Sequence, residues 1–184
     1  YRSTLCSSML TKKGETFCFV SASPDSLFGL IKSKSIDAII NTVAIYEKKG
    51  IAKSQIINAN AVFPLSIIPF AIDHGIKKII TIDTSLPNTF NFYSLTKSFV
   101  ADIGNMYCKE FNSLFFADVV LENFYGPDEP KNRFLQNCVS LLNENRTLEL
   151  TKGNQKRDFV YVYDVIEALW AISKSSKTGF YKIP

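Results

Sequence analysis

Histidine occurs once in this 184-residue chain and cysteine only four times, at positions 6, 18, 108 and 138, with no CxxC spacing. That leaves no recognisable set of zinc ligands, so no metal site is expected and reduced thiols are the expectation for the cysteines. No basic run exceeds a pair such as Lys12-Lys13, Lys48-Lys49 or Lys77-Lys78. The net charge of +4 is therefore scattered, which removes nucleic acid from the expected partners. No stretch reads as the roughly 18 to 20 apolar residues that would span a bilayer, and nothing at the start resembles a signal peptide. The expectation is a cytoplasmic protein with no membrane role.

What is present is an ordinary globular composition, 46% hydrophobic and 21% charged, enough to bury one core. Glu15 to Ser21 is a short apolar run that predicts a strand, and Ser26 to Lys34 follows with Leu27, Leu30 and Ile31 on one helical face. Asp37 to Ala44 is a continuous apolar run, as in a parallel strand covered on both faces. Ser54 to His74 predicts a helix with Gly75 at its C-cap, Lys78 to Ile82 a buried strand, Tyr93 to Phe111 a second long helix, and Ser113 to Leu121 another strand. This alternation predicts an α/β fold with a doubly wound parallel sheet that binds ligands beyond the carboxyl ends of its strands. After Gly126-Pro127 the pattern changes to a polar helix at Phe134 to Asn143, short strands at Leu148 to Leu150 and Phe159 to Val162, and a helix from Asp164 to Ile172. The expected organisation is a partial dinucleotide-binding domain over residues 1–124 and the start of a smaller substrate lobe, interleaved with it, over residues 125–184. Because the chain starts at Tyr1 and stops in an apolar run, a fragment is expected.

Tyr93 and Lys97 stand four residues apart at the start of a helix, so they share one face. A neighbouring ammonium is expected to lower the phenol's pKa, as acid/base chemistry on an alcohol or ketone requires. By itself the pair also fits an ordinary amphipathic helix. Thr84 and Ser85, just past the strand that precedes this helix, add hydroxyls to the set, although alone they also read as a turn.

Four segments, in order, resemble motifs of the NAD-dependent epimerases and dehydratases, the extended branch of the short-chain dehydrogenase/reductases. Gly75 to Thr84 is similar to their G-V-K-R-F-V-x-x-S-[ST] strand, and Tyr93 to Lys97 to their YxxxK. Leu121 to Pro127 is similar to R-x-x-N-x-Y-G-P, and Arg157 to Asp164 to R-D-[FY]-[VI]-x-V-x-D. The nearest type is the sugar-nucleotide ketoreductase of the CDP-abequose synthase kind. The resemblance implies that Thr84 holds the sugar oxygen, that Tyr93 exchanges its proton, and that Lys97 binds the nicotinamide ribose and polarises Tyr93. It also implies that Ser85, Asn123 and Arg157 meet the nucleoside-diphosphate sugar; an arginine fork suits a diphosphate.

The departures are specific. No GxxGxxG or GxGxxG occurs, so the strand, turn and helix that would cradle the cofactor phosphates are expected to lie outside this chain. Arg2 and Ser3 would then end the family's second strand and suit the 2′-phosphate of NADP, which tilts the cofactor from NAD to NADP. Asn41 to Ala44 replaces the usual H-x-A-A segment, making Asn41 and Ala44 cofactor-side positions. Val120 stands for the arginine of R-x-x-N-x-Y-G-P, and Thr84 and Tyr93 are closer together than in relatives. Thr84-Ser85-Leu86 lacks the carboxylates of a dehydratase, which leaves 4-ketoreductase of a 6-deoxyhexose nucleotide as the leading expectation. An epimerase, or a catalytically silent dinucleotide-fold protein, are the alternatives. By analogy the two long helices make a homodimer, and cell-surface polysaccharide synthesis is the usual setting.

Overall fold

The computed structural model describes Cys18, Val20 and residues 23–127 and 129–183. The expected strand at Glu15 to Ser21, apart from Cys18 and Val20, and the cofactor positions Arg2 and Ser3 lie outside the described residues. Four strands make a parallel sheet in the order β1 (Ala38–Asn41), β2 (Lys78–Thr84), β3 (Phe115–Leu121), β6 (Gly179–Ile183). A separate parallel pair joins β4 (Asn123–Tyr125) to β5 (Phe159–Tyr161). The helices are α1 (Pro24–Ser33), α2 (Lys53–Asp73), α3 (Phe92–Glu110), α4 (Phe134–Asn143) and α5 (Val162–Lys174).

Side-chain alternation along β2 and β3 divides the core into two layers. Ile79 and Phe116 face α1, α2 and α3, while Ile80, Phe115, Ala117 and Val119 face α5. All seven residues of β3 are buried, as expected of a central parallel strand covered on both sides. Gly104 lets α3 lie flat on this layer: a Cβ there would come within 2.2 Å of the Phe116 ring.

Helix α2 changes character midway. Pro64 has no N–H to offer the carbonyl four residues back, and the helix meets this with a π-type turn over Asn58–Val62, in which the Phe63 N–H bonds the Asn58 carbonyl. It ends in a Schellman motif: Ile76 N–H bonds Ala71 O at 2.9 Å and Gly75 N–H bonds Ile72 O at 3.0 Å, with Gly75 at φ +75°.

Several expectations need correction. The apolar run at Asp37 to Ala44 makes only a four-residue strand, because after Asn41 the chain leaves the sheet edge to become the cleft loop. Leu148 to Leu150 forms no strand; these residues have no neighbouring strand to pair with. By length and composition alone, α2 is apolar enough to cross a membrane, contrary to the sequence expectation; here it packs on the sheet and on α3. Strand β6 was not anticipated. It returns to the main sheet beside β3, so residues 125–184 contribute both a helix and a strand to the dinucleotide-fold core.

Candidate active site

The carboxyl ends of β1, β2 and β3 open into a cleft of about 460 Å³. Tyr93 and Lys97 reach it from the first turns of α3. That helix is started by a capping box: Asn91 Oδ1 accepts from Ser94 N–H at 2.9 Å, and Ser94 Oγ accepts from Asn91 N–H at 3.2 Å. The Ser94 hydroxyl also donates to Asn88 O at 3.2 Å, tying the short Thr84-to-Tyr93 interval into a compact turn.

Lys97 is 5% exposed, and its ammonium donates to the carbonyls of Ile82 at 2.8 Å and Val43 at 2.9 Å. The buried charge is thereby hydrogen-bonded to the main chain leaving both β1 and β2, each such bond contributing about 1.5–3 kcal/mol. Tyr93, 7% exposed, has hydroxyl contacts with Thr84 and Tyr46, and its ring meets that of Tyr46 at 4.8 Å between centroids. Burial pushes the Tyr93 phenol well above its usual range; Tyr46 and Asp83 add to the rise, and the Thr84 hydroxyl opposes it. This corrects the expectation that Lys97 lowers it: the ammonium is directed at main-chain carbonyls, and burial is the largest influence on the phenol. Tyr93 is held protonated.

Beneath Lys97 lies a carboxyl pair with no sequence signal of its own. Asp83 and Asp118 share a side-chain hydrogen bond. The Asp83 carboxylate also accepts from the Thr84 N–H at 2.7 Å, and Asp118 faces the Thr81 hydroxyl at 3.4 Å. Burial is the chief cause that raises both pKa values, with Asp118 brought to about 7; the Asp83 carboxyl raises the Asp118 value further, the hydrogen bond with Asp118 holds the Asp83 value down, and Lys97 opposes both rises. Parallel register explains the pairing: Thr81 lies opposite Asp118, which places Asp83 and Asp118 on the α3 face of neighbouring strands.

The remaining expected residues divide. Ala44, Thr84, Ser85, Asn123 and Arg157 all line the cleft. Asn41 does not: its side chain turns back to accept the Val43 N–H at 3.1 Å. Ser85 donates to Glu122 Oε2 at 2.7 Å, and Glu122 pairs with Lys182 at 3.3 Å. Asn123 donates to Asp158 O at 3.3 Å, holding β4 against the entry to β5. Tyr46, Glu47, Glu122 and Arg133, which the motifs did not flag, also line the cleft. The region around Lys97, Tyr93 and Ala44, at the carboxyl ends of β1 and β2, fits the nicotinamide and ribose of a dinucleotide; its open polar floor offers a buried cation and a protonated phenol.

A model of the family described as NAD dependent epimerase/dehydratase matches residues 4–183. Among curated proteins, the chain is 29% identical over 164 residues to a CDP-abequose synthase of Salmonella typhimurium, covering 83% of this chain and 54% of that protein. It is 27% identical over 166 residues to a CDP-abequose synthase of Yersinia pseudotuberculosis, covering 85% and 58% respectively. The chain thus spans a little over half the length of these relatives. Among solved structures, a UDP-N-acetylglucosamine 4-epimerase from Methanobrevibacter ruminantium superposes with a TM-score of 0.79 at 17% identity, over 91% of this chain and 60% of its own. A UDP-glucuronic acid 4-epimerase from Bacillus cereus, in complex with NAD, gives 0.77 at 20% identity, over 89% and 58%.

Proposed function

We propose that this chain, which belongs to the NAD dependent epimerase/dehydratase family, is the catalytic part of an NAD(P)-dependent enzyme acting on a nucleoside-diphosphate sugar, and that it reduces a 4-keto-6-deoxyhexose. The observation that carries the reading is the meeting of Thr84, Tyr93 and Lys97 in one cleft, with the phenol held protonated. Thr84 and Tyr93 offer two hydroxyls to a single carbonyl oxygen, and Tyr93 transfers its proton as that oxygen becomes a hydroxyl. When bound, the reduced nicotinamide supplies the hydride to the carbonyl carbon. Lys97, already fixed by two carbonyls, orients the ribose and lends positive charge beside the phenolate left behind. Arg157 and Asn123 face the cleft from the far side and suit the diphosphate.

The proposed ketoreductase uses Tyr93 as an acid, the form in which the site holds it. An epimerase would first need the phenolate to take a proton from an alcohol. No carboxylate stands in the Thr84-Ser85-Leu86 segment to eliminate water as a dehydratase does. A homodimer is the proposed assembly, supported by apolar side chains left in water on the paired helices α2 and α3: Val62 is 54% exposed, Phe99 50% and Met106 62%. A cytoplasmic setting goes with the proposed cofactor and substrate.

The test is fluorescence titration of the full-length protein with NADPH and NADH, followed by turnover on a panel of 4-keto sugar nucleotides. Tyr93→Phe should bind cofactor within about 3-fold of the native protein and lose at least about 10²-fold in kcat. Stoichiometric cofactor oxidation identifies the reductase, while product formation without net oxidation identifies the epimerase. Failure to bind either cofactor leaves a dinucleotide-fold protein with another role.

A further inference from the structure

Glu122 occupies an unassigned position of the R-x-x-N-x-Y-G-P segment, yet it is fixed in the cleft wall from two other strands. In the sheet register Thr84 lies opposite Leu121, so the residues that follow them, Ser85 and Glu122, leave the sheet side by side, and both line the cleft. The Ser85 hydroxyl donates to Glu122 Oε2 at 2.7 Å, and the Lys182 ammonium, from β6, pairs with Oε1 at 3.3 Å. The Ser85 hydroxyl is thereby engaged with Glu122. A carboxylate offers about four lone-pair sites; these two contacts take one on each oxygen, and the side chain keeps 16% of its surface exposed. The acceptor capacity that is left faces the cleft.

The chemistry of the group selects what it can take. It has no proton to donate, its charge repels a phosphate, and its cation partner is already supplied by Lys182. A neutral O–H donor remains, and a hydroxyl bound to a carboxylate makes a charge-assisted hydrogen bond. Neighbouring strands run about 4.8 Å apart, so one ligand oxygen at Thr84 and another at Glu122 fit on a single hexose ring. We propose that Glu122 determines specificity for the sugar, accepting a hydrogen bond from one ring hydroxyl while Thr84 and Tyr93 hold the oxygen that reacts. Ser85 and Lys182 act through it, as positioning residues. This rests on the reading of the cleft as a site for a nucleoside-diphosphate sugar. A sugar without that hydroxyl leaves the fixed carboxylate facing it unpaired, which is how such a site rejects a deoxy analogue.

Glu122→Gln keeps the shape and removes the charge. Calorimetric titration of the full-length protein with hexose nucleotides of cytidine, uridine and thymidine, and with each nucleoside diphosphate alone, separates recognition of the sugar from that of the nucleotide. The variant should bind the hexose nucleotide about 10- to 100-fold more weakly and the nucleoside diphosphate within about 2-fold. Its melting temperature should stay within about 2 °C of the native value. Single-deoxy hexose nucleotides give the second readout: at one ring position, loss of the hydroxyl should abolish the difference between native protein and variant. The proposal is overturned by an unchanged affinity for the hexose nucleotide, by equal weakening towards the bare nucleoside diphosphate, or by the same native-to-variant ratio for every deoxy sugar. A native protein that binds neither ligand overturns the reading of the cleft itself, and this inference with it.

Discussion

The two walls of the cleft are built in opposite ways. The wall made by β1, β2, β3 and α3 places its chemistry in the core: Tyr93, Ser94, Thr96 and Lys97 are all buried, and Phe116 on the sheet face that meets α3 is fully so. The facing wall, made by β4, β5 and the described residues between them, has almost no interior. Helix α4 has no buried residue, and Phe134, Leu142 and Leu150 stand largely in water. A proton-transfer set has to be held within a fraction of an ångström before substrate arrives, and only packed surroundings do this. Groups that recognise a flexible, charged ligand can be ordered by the ligand itself, and long polar side chains such as Arg133 and Arg157 suit that wall.

The contrast can be broken hardest from the inner wall. Gly104→Ala drives a methyl into the ring of Phe116, which has no space to retreat into, and should cost about 2–3 kcal/mol by urea denaturation. An Ala substitution at exposed Asn137 on α4 of the facing wall should change stability by less than about 0.5 kcal/mol.

A smaller effect tests the electrostatics of the inner wall. Asp118, raised from 3.8 to about 7 mainly by burial, binds a proton more tightly in the folded state than in the unfolded one. Its favourable contribution is therefore complete below about pH 4 and is lost as pH rises towards 7. Asp118→Asn should leave thermal stability at pH 4 nearly unchanged. Above pH 7 it should raise stability by about 1–3 kcal/mol, below the roughly 4 kcal/mol that a full shift of about three pKa units would give. A variant equally destabilised at both pH values would show that the carboxyl pair acts through hydrogen-bond geometry and not through charge.

The smallest expected effect lies on the outer wall. Arg157→Ala should raise KM for the sugar nucleotide about 10-fold with kcat within about 2-fold, and leave the melting temperature within about 2 °C, since an exposed arginine carries little of the fold. An equal loss in kcat would mean that this wall takes part in the transition state, and the division between the walls would fail.

Most helices and strands could be read from the chain because each carries its signal locally. Gly75 sits where a left-handed C-cap is required, Asn91 and Ser94 spell the start of α3, and β3 is apolar without interruption. The short β6, Gly179–Ile183, carried no such signal: alternating exposure along five residues resembles a tail until it is paired with β3. Conversely, Leu148 to Leu150 has strand-like composition and no partner. Strand identity depends on a neighbour that may be sixty residues away in the chain, which local pattern does not encode.

The candidate site divides along the same line. Tyr93 and Lys97 are visible in sequence because helical periodicity alone puts residues four apart on one face, and Thr84 because it follows a recognisable strand. Those residues, the alternation of strands and helices, and the family are determined by the chain itself. The tertiary structure alone decided that Lys97 would spend its charge on the carbonyls of Val43 and Ile82, that Tyr93 would be raised and not lowered, that Asp83 would meet Asp118 across a strand register, and that Tyr46 would lie against Tyr93. The reason is that a pKa is set by the dielectric and the partners around a group, and both come from elements far apart in sequence whose approach only the folded sheet fixes.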